Sequence, residues 1–173
     1  MKLKNNIFTA LLLAIGFILH QITPGILGGM KFDFLLAFVF ISLLINVSFK
    51  NAILTGLLGG FLSAMTTTFP GGQIPNMIDK LITCIVLFVV IKLLNHFNLN
   101  AVIVGIISVV GTLVSGTVFL FCALLTVGLP APFSFLFKTV VLPTILVNTA
   151  ITIFIYQIVK HAIKVSGISI DHI

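Results

Sequence analysis

Six apolar runs, separated by short clusters of Gly, Pro or polar residues, account for most of this chain. A hydrocarbon core about 30 Å thick is crossed by about 20 residues of helix. The runs place helices near 6–22, 34–49, 51–65, 78–95, 101–126 and 137–160. Six spans would use roughly 120 residues and leave only connections, so the expectation is a single transmembrane domain over 1–173, all-α, a bundle of six helices. Composition agrees: 60% of residues are hydrophobic and 7% charged, with a mean hydropathy of +1.34, against about 25% charged in a soluble domain. The third run is short and extends only if Thr66–Phe69 joins it. The fifth is long, and Gly105, Gly111 and Gly116 mark where it would kink.

All nine basic residues are Lys, and the acidic residues are Asp33, Asp79 and Asp171. This basic balance does not indicate nucleic acid, because no basic stripe or spaced aromatic platform accompanies it. Lysines at helix ends are topology signals instead. Lys2, Lys4, Lys50, Lys92, Lys160 and Lys164 flank one side of the predicted bundle, and Lys31, Lys80 and Lys138 the other. The richer side is expected to be cytoplasmic, which puts both termini inside a multi-pass protein of the cell membrane. Lys2 and Lys4 before the apolar run Ile7–Leu19 imitate a signal peptide, but no small-residue cleavage pattern follows, and the segment reads as the first helix. Cys84 and Cys122 fall within apolar runs and read as small buried hydrophobes.

The inner turns at Val47–Asn51 and Asn95–Asn100 are tight, whereas the outer segments TPGILGGMKFDF, TTTFPGGQIPNMIDK and VGLPAPFSFLFK are longer and dense in Gly and Pro. Irregular backbone at a membrane face lines or caps a water-accessible cavity, or simply turns with snorkelling lysines. The second segment carries Thr68, Phe69, Gln73, Asn76, Asp79 and Lys80, too polar to face lipid. Asn76 at the N-cap of the fourth helix and Asp79 at its N3 position would account for part of it, and a solute for the rest. Lys31 and Asp33, two residues apart, form a second mixed-sign pair. Two pairs of opposite charge suit a zwitterion, since an unpaired buried charge is costly; an internal salt bridge is the plainer alternative. Phe69, Phe133 and Phe135 offer surfaces for an apolar or aromatic solute group, or merely face lipid. His20, Gln21 and Asn148 are polar groups at membrane depth, available to a solute or as interhelical glue. Ala10/Ala14 and Gly56/Gly60 are small-residue pairs that allow close helix approach.

An enzyme is not expected. The chain has no HExxH, no Glu, no Cys/His cluster and no nucleophile with a base, and no cofactor or metal is implied. The absence of a P-loop means that any ATPase is another chain.

GGMKFDF, followed some thirty residues on by TTTFPGGQIPNMIDK, resembles the bacterial tryptophan transporter family TrpP over essentially the whole chain. That family is similar to the substrate-binding S components of energy-coupling factor (ECF) transporters. The resemblance implies an S-component-like bundle with a tryptophan site in the outer loops and outer helix halves. It also implies that Ala10-Leu11-Leu12-Leu13-Ala14 matches the AxxxA pattern by which S components dock on their coupling subunit, itself driven by ATPases. Uptake of L-tryptophan from the outer face is therefore expected, with Lys31 or Lys80 meeting the carboxylate, Asp33 or Asp79 the ammonium, and Gln73 or Asn76 the indole N–H. A stand-alone secondary carrier and a non-transporting membrane sensor or partner protein are the alternatives.

Overall fold

The protein is described by a computed structural model covering residues 2–25, 29–94 and 99–166, with residues 2–5 and 166 described by backbone alone. Gly28, most of the inner turn at Asn95–Asn98, Asp171 and the side chains of Lys2 and Lys4 lie outside that description. Every described element is helical: α1 (Lys2–Ile22), α2 (Phe34–Ile45), α3 (Phe49–Thr66), α4 (Gln73–Leu94), α5 (Ala101–Thr126), α6 (Phe133–Leu136), a π-helical turn (Phe137–Val141) and α7 (Leu142–Ser166). The last three join end to end into one rod, so the described residues form six rods.

The centre is α2. Its sequence FLLAFVFISLLI is apolar on every side, and Leu35 to Ile45 are all buried. A helix hydrophobic all round belongs inside protein, and α2 is in contact with α1, α3, α4, α5 and α7. At 12 residues it is only about 18 Å long. It stops earlier than the apolar pattern suggests because Asn46–Ser48 makes the turn: Ser48 caps α3 through Asn51 N (3.2 Å), while Asn51 Nδ2 donates to Ser42 O (3.1 Å) and Asn46 O (2.9 Å). Other departures have equally local causes. The N-terminus of α4 falls at Gln73, since Gly72 O accepts Asn76 N (3.0 Å). Asn76 is therefore inside the first turn rather than at the N-cap, and Asp79 lies beyond that turn.

No break occurs in α5 at its glycines. They serve packing instead: a Cβ on Gly111 would lie 2.6 Å from Phe40 Cζ, and one on Gly116 2.6 Å from Val141 Cγ1. The irregular turn sits in the neighbouring rod, at Phe137–Val141, against Gly116. Gly56 and Gly60 likewise bring α3 onto α4, where added Cβ atoms would meet Leu81 Cα and Met77 Cα at 3.0 Å. That small-residue pair is an internal contact. Ala10 and Ala14 are not buried in this way; both are exposed on α1 beside Ile7, Leu11, Ile15 and Ile18.

Around this apolar centre, large apolar side chains also cover the outside while several polar ones are buried. Large hydrophobics such as Phe61, Val102, Leu125, Leu146 and Phe154 are exposed, while Asp79, Lys80, Thr83, Ser108, Thr112, Asn148 and Thr152 are buried. Two rods, Ala101–Thr126 and Phe133–Val165, are long and apolar enough by themselves to cross a bilayer. The other four differ for visible reasons: α2 is short, α3 is rich in Gly and small polar residues, α4 carries Asp79, Lys80 and Lys92, and α1 opens on Lys2 and Lys4.

Candidate functional site

The end of α1, the start of α2, the end of α3 and the start of α4 meet at one end of the bundle, the end that carries the three Gly/Pro-rich loops. A half-open cavity lies there, lined by residues of α1, α2, α4, α5 and the last rod together with the loops between them. The loops roofing it are tied together. Gly29 has φ +81°, and a Cβ there would lie 2.5 Å from Thr68 O, so only glycine fits. Thr68 Oγ1 donates to Gly29 O at 2.6 Å across the two loops.

One wall is ionic. Asp33 caps α2, its Oδ1 accepting Leu36 N at 3.1 Å. Its Oδ2 lies 2.6 Å from Lys80 Nζ of α4, and Lys80 also bonds Asp79 Oδ2. Asp79 accepts two further hydrogen bonds: Thr83 Oγ1 donates to Oδ1 (3.0 Å) and Ser115 Oγ of α5 to Oδ2 (2.9 Å). The side chains of Asp79 and Lys80 are 1% exposed, that of Asp33 16%. Sequence order suggests Lys31 pairing with Asp33; the fold instead links Asp33 to Lys80, and Lys31 Nζ donates to His20 O at 2.7 Å, near the C-terminus of α1 where a cation is favoured. Burial holds the Lys31 ammonium below its usual range, with Asp33 opposing part of that shift. For Asp33, burial pushes the carboxyl up, but Lys80 and the Leu36 N–H together hold it below the ordinary carboxylate value.

His20 is 3% exposed, with Nδ1 2.5 Å from Thr66 Oγ1 and Nε2 3.7 Å from Asp33 Oδ1. Asn76 lines the same space; its Nδ2 donates to Gly72 O at 2.8 Å, which turns the carboxamide oxygen away from that anchor. The rest of the lining is largely an apolar cluster of Met30, Phe69, Phe119, Leu120, Val140 and Val141, with Phe69 and Phe119 edge to face at 5.5 Å between centroids.

Of the residues singled out from sequence, His20, Lys31, Asp33, Phe69, Asn76, Asp79 and Lys80 line this cavity. Gln73 is exposed and does not line it; Thr68 ties the roof. Phe133 stacks on Phe137 at 6.2 Å, Phe135 is exposed, and neither belongs to the lining. Asn148 is fully buried one step deeper, its Nδ2 3.5 Å from Thr112 Oγ1, followed by Ser108 Oγ donating to Thr152 Oγ1 at 3.1 Å. Sequence reading missed Thr112, Ser115, Gly116 and Phe119 of α5, and Val140, Val141 and Thr144 of the last rod. The available signal was the helical spacing of Ser108/Thr112/Ser115 and Thr144/Asn148/Thr152, polar stripes within apolar helices. Among the described residues no group of His, Cys, Asp and Glu is placed to hold a metal.

Comparison with known proteins points to transport. The chain is 46% identical over 165 residues to a probable tryptophan transport protein of Clostridium acetobutylicum, covering 95% of this chain and 96% of the relative. Proteins of the same description match at 43% identity in Clostridium perfringens (95% and 97% coverage) and 42% in Bacillus subtilis (96% and 96%). No solved structure matches significantly. Residues 2–164 match the family described as tryptophan transporter TrpP, a family of transporters and not of enzymes. On a match spanning nearly its whole length, the chain belongs to the TrpP tryptophan transporter family.

Proposed function

We propose that this protein takes up L-tryptophan across the bacterial cell membrane, capturing it from the outer face in the cavity between α1, α2, α4, α5 and the last rod. The observation that carries the reading is a cavity lined both by charges of opposite sign and by an aromatic, apolar cluster. With His20 neutral, Asp33 and Asp79 balance Lys31 and Lys80, so a zwitterion enters without leaving a net charge buried. Capacity to bind is unequal. Lys80 uses two of its three donors and Asp79 accepts three hydrogen bonds, whereas Lys31 uses one of its three donors and Asp33, the more exposed carboxylate, accepts two. Lys31 thus takes the solute carboxylate and Asp33 its ammonium, while Asp79–Lys80 supports them. The indole lies against Phe69, Phe119 and Val141, with the Asn76 oxygen as acceptor for its N–H. A site built around such an acceptor rejects analogues that lack the donor.

All six rods then cross the membrane in an S-component-like bundle with both termini cytoplasmic. The lysine distribution and the apolar exterior support this. The exposed Ala10/Ala14 face of α1 supports docking on an ECF coupling subunit driven by separate ATPases. The alternative, a stand-alone carrier, would need a path through the buried polar seam Thr112–Asn148–Ser108–Thr152 beneath the cavity. Calorimetric binding to purified protein tests the central reading. Tryptophan should bind, phenylalanine at least tenfold more weakly, and tryptamine, which lacks the carboxylate, more weakly still; equal binding of tryptophan and phenylalanine overturns it.

A further inference from the structure

The hydroxyl of Thr66 has one hydrogen, and it is committed: Thr66 Oγ1 donates to Leu62 O at 2.8 Å, one helical turn back. Its approach to His20 Nδ1 at 2.5 Å therefore requires the histidine to be the donor. In a neutral imidazole with the hydrogen on Nδ1, Nε2 is left with a lone pair and no proton. That lone pair faces Asp33 Oδ1 at 3.7 Å, too long for a hydrogen bond between them. A third cation at this spot is not called for, because the charges around the ring already balance: Lys80 on Asp33 Oδ2, Asp79 on Lys80, and Lys31 on the carbonyl of His20 itself. Two acceptors therefore face each other across a gap at the cavity wall, and the arrangement becomes favourable only when a donor bridges them. An ammonium nitrogen about 2.8 Å from each fits a 3.7 Å separation.

We propose that His20 is the second acceptor for the ammonium group of the solute, with Thr66, which does not line the cavity, as the positioning residue that fixes the imidazole tautomer. The inference rests on the reading of the cavity as an amino-acid site and adds to it the group that separates amino acids from their desamino analogues. Asp33 alone attracts any cation; a carboxylate and an imidazole lone pair together select one with at least two N–H bonds directed at them.

The test compares tryptophan with indole-3-propionate, which has the same ring and carboxylate but no amine, on the wild type, His20→Phe, His20→Gln and Thr66→Val. His20→Phe should weaken tryptophan binding about tenfold or more, the scale of a lost hydrogen bond to a charged group, and change indole-3-propionate binding by less than about twofold. His20→Gln, whose carboxamide oxygen reaches the Nε2 position, should recover most of the loss. Thr66→Val should show the His20→Phe pattern in milder form, because the ring is then free to place its hydrogen on Nε2 and donate to Asp33. Nitrogen-15 spectra of the ligand-free wild type should show the Nδ1–H tautomer at His20. Equal losses for both ligands, no loss in either variant, or an Nε2–H tautomer each overturn the proposal. If wild-type protein binds no tryptophan at all, the functional reading itself fails, which is a different result.

Discussion

Lys80 Nζ sits between two carboxylates with 1% of its side chain exposed, so protein alone neutralises it. Such a buried cluster adds little net stability over an apolar replacement of the whole set, but removing one member strands the others. Lys80→Met should therefore destabilise by about 3–5 kcal/mol, read as a lowered denaturation midpoint in detergent; a change under about 1 kcal/mol would mean that water or lipid headgroups reach the carboxylates. Asp33 gives a prediction with a sign. Its folded carboxyl is held below the ordinary value near 4, so its contribution is fully present above that value and lost as pH falls through the lower, folded one. The melting temperature should be flat from neutral pH to about 5 and drop below about 4, and Asp33→Asn should flatten that acid limb while lowering the plateau. The pairing itself was not readable in the sequence. Adjacent numbering suggests Lys31 with Asp33, whereas the start of α4 is folded over the cap of α2, and only tertiary structure reports that.

At the level of elements, the sequence is most informative where the solvent dictates the pattern. Apolar runs located all six rods, because a helix that is in lipid or surrounded by other helices must satisfy its backbone internally and cover itself with apolar side chains. It is least informative where polar residues serve two masters. Asn76 and Asp79 have the chemistry of a helix start, yet Gly72 begins the hydrogen-bond ladder of α4 earlier and both side chains line the cavity instead. The glycines of α5 read equally as flexibility or as close packing, and Phe40 and Val141 decide for packing. On α1 the same ambiguity attaches to Ala10 and Ala14, and their exposure beside Leu11 and Ile15 removes intramolecular packing as the explanation. If that face docks on a coupling subunit, Ala10→Leu with Ala14→Leu should leave tryptophan binding within about twofold of wild type and abolish uptake in cells. Retained uptake would leave the face to lipid.

For the whole molecule, the arrangement of charge and of apolar surface bears on how transport is driven. The buried charges and the loops that roof them lie at one end of the bundle, and the exterior between the ends is apolar. A bundle of this kind either reorients as a unit when another protein moves it, or opens a path through itself. The polar seam from Thr112 to Thr152 is bonded at two points, Ser108 to Thr152 at 3.1 Å and Asn148 Nδ2 to Thr112 at 3.5 Å, leaves Asn148 Oδ1 without a partner, and has no ionisable side chain among its members. It is better suited to holding α5 against α7 than to relaying protons, which favours motion of the intact bundle. Protein reconstituted alone in liposomes should therefore bind tryptophan but not accumulate it under a proton or sodium gradient. Binding in the same preparation can be read independently, since a solute at 100 times its dissociation constant raises stability by about 2.7 kcal/mol. A clear thermal shift without gradient-driven uptake supports dependence on a coupling partner. Accumulation by the lone chain, abolished by Asn148→Leu, would instead make the α5–α7 seam the transport path.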